Sequence, residues 1–330
     1  GRRHLTICKL FRFRRNNTPP MPEISFGISG RLRRSEVSDS VEVIDMNEIL
    51  MVKGAKRVVE TCVGVRPGEQ VLIVTEGEKL PIAQAVAQAV YAVDAEPMIA
   101  LMLPRERDGQ EPPAAIAAAI THTHAVKEAC KRGSRGGVLT QFTQELMIHG
   151  GLEADFREVA PTCKAVAGIL AGAKEVRLTT PHGTDLTFSA EGRRSNAMYC
   201  MVEPGEFSPV PTVEANVSPL EGTAQGIIVA NASIPYIGIQ AEMLKRDLEQ
   251  KQDPNVYNIA ELGVGLNPKC RFMGFMLEDE GVRGSVHIGI GTSITLGGNV
   301  KAACHYDLIM TEPTLIVDGQ MVLHNGSVVR

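Results

Sequence analysis

Residues 71–75, VLIVT, are an unbroken run of apolar and β-branched side chains, entered through the turn Pro67-Gly68-Glu69. A run this short with no polar alternation suits a strand buried on both faces, as in a parallel sheet. Residues 80–93, LPIAQAVAQAVYAV, follow as an Ala-rich helix, with Pro81 tolerated in its first turn. Residues 97–103, PMIALML, then read as a second strand. Strand, helix and strand in that order make a parallel unit, so the first part of the chain is expected to be α/β. Ahead of it, Ile49, Leu50, Val52, Val58, Val59 and Val63 recur at helical spacing over residues 47–64. Further helices are expected at 112–132, 141–148 and 154–171, with a short strand at 136–139.

The pattern changes near residue 174. From there the chain is read as short strands punctuated by Gly and Pro: 176–180, 185–190, 226–231, 256–265, 285–291, 305–310, 314–318 and 320–324. The expected organisation is therefore a parallel-sheet α/β domain over 46–173, followed by a mixed α+β, strand-rich domain over 174–330. Residues 1–45 stand apart. They open with the basic stretch GRRHLTICKLFRFRRNN, and the first acid is Glu23. This segment reads either as an organellar transit peptide or as a non-native, poorly ordered leader before a start at Met46 or Met51.

Composition narrows the function classes. Of the 330 residues, 44% are hydrophobic and 22% charged, enough to bury a sizeable core. A net charge of -4, with no Trp and only 5 Tyr, argues against a nucleic-acid surface or a base-stacking platform. No apolar run approaches the roughly 20 residues of a membrane-spanning helix. The 7 cysteines form no C-x-x-C pair, and their odd number cannot be fully paired within one chain. Reduced thiols and a cytoplasmic location follow as expectations. Cys304, beside His305, reads as a ligand or nucleophile, or as a small hydrophobe in a strand.

The chemistry points to strand 305–310. His305 and Asp307 are two apart, so both project from one face, as a pair of metal ligands or as a solvated or mutually hydrogen-bonded pair. His287 lies in the apolar run SVHIGIG, and Glu261 lies between Ala260 and Leu262. A carboxylate buried there is costly unless paired or bound to a cation. Two histidines and two acids on expected strands suggest one shared divalent-metal site. The segments Gly263-Val264-Gly265 and Gly289-Ile290-Gly291 do not open a helix, which excludes a dinucleotide fingerprint. Thr121-His122-Thr123-His124 reads as a helix start with exposed imidazoles, or as a metal-binding stretch.

The ordered segments NIAELGVGLNP (258–268), LEDEGVRGSVHIGIG (277–291) and HYDLIMTEPTLIVDG (305–319) resemble the aminopeptidase T family of metallo-aminopeptidases. GVRPGEQVLIVTE (64–76), LTTPHGTDLTF (178–188) and EPGEFSPVP (203–211) are similar too, so the resemblance spans 47–330. It implies a two-metal hydrolase with zinc, cobalt or manganese, acting on a peptide or small-molecule substrate through metal-activated water. It implies Glu206, Glu261, His287, His305 and Asp307 as ligands, with Glu206 or Glu261 doubling as general base. A homo-oligomer such as a dimer is expected, with no nucleic-acid or membrane partner. Two positions depart from the family. A Tyr seven residues after the first His is Ile294 here, and a hydrocarbon can neither ligate nor donate a proton. The apolar strand that precedes the THT segment is missing, since AAAI runs directly into it. A second group with a similar pattern, the 2,5-dihydroxypyridine 5,6-dioxygenases, implies instead one iron(II) held by His305 and Asp307. That group has no His at the place of His287 and has a Ser two residues on, where this chain has Gly289. A catalytically inactive member of the fold is the third reading.

Overall fold

The computed structural model describes residues 4–7, 46–104, 112–119, 135–139, 142–231 and 239–329. The α/β beginning is present as expected. Helix Met46–Lys56, whose continuation Arg57–Cys62 widens to π-helical geometry, leads into strand Gln70–Glu76, helix Leu80–Tyr91 and strand Glu96–Met102. A five-stranded parallel sheet runs in the order Glu96–Met102, Gln70–Glu76, His4–Ile7, Gly136–Val138, Phe207–Pro209. Its central place is taken by His4–Ile7, from the segment read as a leader. The rest of that segment lies outside the described residues, as do Thr121–His124 and most of the helix expected at 112–132, of which Ala114–Ala119 is seen.

The strand-rich part forms two antiparallel sheets. One has six strands in the order Gln225–Ile227, Asp185–Phe188, Val176–Thr179, Thr314–Val317, Gln320–His324, Ser327–Val328. The other has five, in the order His305–Met310, Val286–Gly291, Ile259–Gly265, Val213–Val217, Ser195–Tyr199. Four strands and two helices of the described residues after 174 go beyond the expected set: the strands Ser195–Tyr199, Phe207–Pro209, Val213–Val217 and Ser327–Val328, and the helices Ile239–Gln250 and Met276–Asp279. The polar sequences SNAMY and VEANV lack the aliphatic run that marks a strand, and their pairing is decided by neighbouring strands.

Helix Phe156–Leu170 joins the two parts. Asp155 caps it by accepting from the backbone N–H groups of Arg157 and Glu158. It packs on Ser195–Tyr199 and Val213–Val217, burying Cys163, Val166, Ala167 and Leu170 in a core that continues to Ile73 and Leu139. Phe207–Pro209 closes the edge of the parallel sheet, and four residues on, Val213–Val217 enters the second antiparallel sheet. Among the described residues no helix is long and apolar enough to cross a membrane.

Two glycines give opposite tests of this packing. In helix Met46–Lys56, a Cβ on Gly54 would overlap the carbonyl of Met147. Gly54→Ala should therefore destabilise by about 1–3 kcal/mol through overpacking. Gly168 is exposed in helix Phe156–Leu170, with nothing within 4 Å of an added Cβ. Gly168→Ala should stabilise by about 0.5–1 kcal/mol. Urea unfolding of both variants checks the signs, and a stabilised Gly54→Ala would mean that helix Met46–Lys56 does not cross helix Gln144–Ile148, which carries Met147, so closely.

Candidate metal centre

Four strands of the second antiparallel sheet bring five titratable side chains together. Alternation along VEANV places Val213, Ala215 and Val217 towards the core and Glu214 and Asn216 on the opposite face. On that face the two central strands carry one polar side chain each, followed by glycines at every second position: Glu261, Gly263, Gly265 and His287, Gly289, Gly291. The register sets Gly263 opposite His287 and Gly289 between Glu261 and Asp307. A Cβ on Gly263 would overlap the His287 ring, and one on Gly289 would lie 2.8 Å from both Glu261 Cβ and His305 Cε1. The glycines let the Glu261 and His287 side chains lie across the neighbouring strand.

His287 Nε2 lies 3.4 Å from Glu214 Oε2 and 3.8 Å from Glu261 Oε1. His305 Nε2 lies 3.1 Å from Glu261 Oε2 and 3.3 Å from Asp307 Oδ1. Two groups result, Glu214–Glu261–His287 and Glu261–His305–Asp307, each with its ligand atoms within 4.8 Å of one another. Glu261 belongs to both, one oxygen facing each histidine. The second group is the more open, with the His305 side chain 25% exposed.

Surrounding polar groups aim these atoms. Asn196 Nδ2 donates to Asn216 Oδ1 at 2.7 Å, and Asn216 Nδ2 donates to Glu214 Oε1 at 2.9 Å. That leaves Glu214 Oε2 turned to His287. His305 Nδ1 donates to the carbonyl of Thr292 at 2.8 Å, which directs Nε2 into the cluster. Glu214 Oε2 and Asp307 Oδ1 are buried without a hydrogen-bond partner, although both lie near an imidazole. Buried acceptors of this kind are costly unless a cation or proton satisfies them. Carboxylate oxygens with imidazole nitrogens suit zinc, cobalt, manganese or iron(II). The residues present therefore fit a divalent metal.

The electrostatics describe the same strain. Burial opposes charge on His287, but Glu261, Glu214 and Asp307 outweigh it and lift its pKa to about 10. Burial opposes charge on His305 as well, and Asp307 and Glu261 nevertheless raise it well above the usual range. Burial works against the Asp307 carboxylate, yet His305 and His287 hold it down to about 2. Glu214 goes the other way, because burial outweighs the attraction of His287 and pushes it up to about 7. Glu280 is a further buried acid, raised well above the carboxylate range by burial and by Glu214 and Asp307. Its Oε1 lies 3.2 Å from the Thr212 hydroxyl.

Of the side chains expected to form the site, the structure brings together Glu261, His287, His305 and Asp307. Glu206 is placed elsewhere. It is exposed, at the turn of Gly205 (φ 99°), and its carboxylate accepts from the Glu203 backbone at 3.1 Å. That turn leads into the parallel sheet, and Glu214, in the next strand, is the fifth member of the cluster. The alternation of VEANV was the available signal for it. Ile294 is 50% exposed in the short turn Ile294–Leu296, neither in the core nor among the ligands.

Comparison with known proteins adds names to this geometry. Residues 232–330 match a family profile described as 2,5-dihydroxypyridine 5,6-dioxygenase. A Pseudomonas putida protein of that name is 28% identical over 101 residues, a stretch that takes in 28% of this chain and 29% of that protein. The structure of the 2,5-dihydroxypyridine dioxygenase from Pseudomonas putida KT2440 superposes with a TM-score of 0.69 at 17% identity, covering 86% of this chain and 97% of that one. The structure of AmpT from Thermus thermophilus superposes with a TM-score of 0.60 at 13% identity, covering 86% and 100%. The chain has the fold that these two proteins share.

Filling the space under a ligand tests the arrangement. Gly263→Ala should displace the His287 ring and weaken binding of a divalent metal by at least about tenfold, the scale of losing an orienting contact. The far-ultraviolet circular dichroism should stay unchanged. Calorimetric titration with zinc or iron(II) reads the effect, and wild-type affinity in the variant would show that the His287 ring neither holds the metal nor shapes its site.

Proposed function

We propose that the chain is a divalent-metal-dependent enzyme of the ring-cleaving dioxygenase type, taking iron(II) and opening a dihydroxylated nitrogen heteroaromatic such as 2,5-dihydroxypyridine. One observation carries this reading. The stretch that matches the dioxygenase profile, 232–330, contains Glu261, His287, His305 and Asp307, four of the five side chains that converge. Iron(II), when bound, supplies the redox chemistry that dioxygen needs to react with an aromatic ring. His305, Asp307 and Glu261 would hold it on the open side of the cluster, where His305 reaches solvent. Thr292 fixes the His305 ring, Asn216 fixes Glu214, and the buried His287 balances the charge of Glu214 and Glu261. Glu280 is a further buried acid beside them, its pKa raised well above the carboxylate range by burial and by Glu214 and Asp307.

A second reading, a two-metal hydrolase of the aminopeptidase type, is favoured by one feature. The two oxygens of Glu261 face different histidines and belong to two groups of side chains, so one carboxylate would serve each of two ions if two were bound. In that case zinc, cobalt or manganese would replace iron, and Ile294 would leave the site without a phenol.

Metal analysis and two assays separate these readings. Protein reconstituted anaerobically with iron(II) should bind one ion per chain and consume dioxygen as 2,5-dihydroxypyridine absorbance is lost. His305→Ala and Asp307→Ala should each lower that activity by at least about a hundredfold, the upper range seen when a metal site is disturbed. Two bound zinc, cobalt or manganese ions with hydrolysis of a leucyl anilide, and no dioxygen uptake, would replace the dioxygenase reading with the hydrolase. Either way, chelation should lower the melting temperature. Metal at about a hundred times its Kd stabilises the native state by about 2.7 kcal/mol. An unchanged melting curve after verified removal would count against any resident ion.

A further inference from the structure

The loop that joins the two ligand strands Val286–Gly291 and His305–Met310 is held from outside by a charged pair. Arg193 lies in the turn between Asp185–Phe188 and Ser195–Tyr199, its side chain only 9% exposed. Its Nη1 donates to the carbonyl of Gly297 at 3.0 Å, and its Nη2 pairs with Glu221 Oε2. The other oxygen of Glu221 accepts from the backbone N–H of Asn299 at 3.0 Å. One guanidinium and one carboxylate thus grip both sides of the loop tip.

The grip passes down the loop to the site. Ser293 donates its N–H to Val300 at 2.8 Å, Gly298 donates to Ser293 at 3.0 Å, and Thr292 donates to Cys304 at 2.8 Å. Gly298 rests on the hydroxyls of Ser218 and Ser293 so closely that a Cβ there would overlap the Ser293 side chain. At the base, the Thr292 carbonyl receives His305 Nδ1 at 2.8 Å. We infer that Arg193 and Glu221 are positioning residues for the metal site, setting the orientation of His305 through the 292–300 loop. The inference rests on the metal-site reading above and adds to it two side chains outside the ligand strands. Without the pair, the Gly297 carbonyl and the Asn299 N–H lose their partners, and the carbonyl that aims His305 is held only by its own loop.

Cobalt(II) is the probe, titrated by calorimetry into the full chain after chelation. Arg193→Gln and Glu221→Gln should each weaken cobalt binding by about tenfold, the lower range for loss of an orienting partner. Arg193→Lys, which keeps the charge but not the two-pronged grip, should fall between them and wild type. In the metal-free chain, the Nδ1–H proton resonance of His305 should be protected from solvent exchange in wild type and lost in both Gln variants. The control is Arg135→Gln, which breaks the largely buried Arg135–Glu69 pair (2.5 Å) at the parallel sheet. It should lower the melting temperature and leave cobalt affinity and the His305 resonance unchanged. If the Arg193 and Glu221 variants behave like that control, the pair is only structural and the inference is overturned. If wild type binds no cobalt, the metal reading fails separately, and the His305 resonance still decides whether the pair positions the ring.

Discussion

Everything in the candidate centre depends on the close crossing of a ligand side chain over a glycine of the adjacent strand. In an antiparallel pair, side chains on one face ordinarily stand side by side and keep the strands' centre line filled. Here Glu261 faces Gly289 and His287 faces Gly263, so each long polar group has an empty neighbour to lie across. That is how four strands can aim five titratable side chains at one small volume. Glycine weakens a strand because it adds backbone entropy and no packing. The cost is met by the apolar opposite face, where Leu262, Val264, Val286 and Ile288 are all fully buried.

This arrangement explains what was legible in the sequence. The parallel unit could be read because a doubly buried strand must be an apolar run and a crossover helix must be amphipathic. VLIVT and the Ala-rich 80–93 satisfy both. His305 and Asp307 could be read because alternation fixes their shared face. Glu261 and His287 stood out as polar groups inside apolar runs. Glu214 was not legible in the same way, since it lies in a polar strand whose burial comes from its neighbours. A turn sequence at Glu206 drew the assignment instead. The glycines were visible but read only against a dinucleotide motif, because their role depends on a register between strands that spacing along one strand does not contain.

The acids of the cluster are kept charged or neutral by their position. Asp307 and Glu261 have imidazoles on hand and stay ionised in spite of burial, whereas Glu214 and Glu280 are pushed upward by it. The gradient runs from the open His305 side to the closed Glu280 side. A cation entering by way of His305 therefore meets the readily ionised carboxylates first.

The four-residue step from Phe207–Pro209 to Val213–Val217 ties the parallel sheet to the sheet that bears the ligands. Along that step the Thr212 hydroxyl donates to Leu277 at 2.7 Å and lies 3.2 Å from Glu280, and Glu214 follows two residues later. The step is short and has one end in each sheet. Any sliding of the parallel sheet would be delivered to Glu214 as a displacement of its oxygen against His287. The strand that carries Glu214 is thereby anchored in both sheets, so a strand-rich portion cut free between these strands would lose one of the two supports of Glu214.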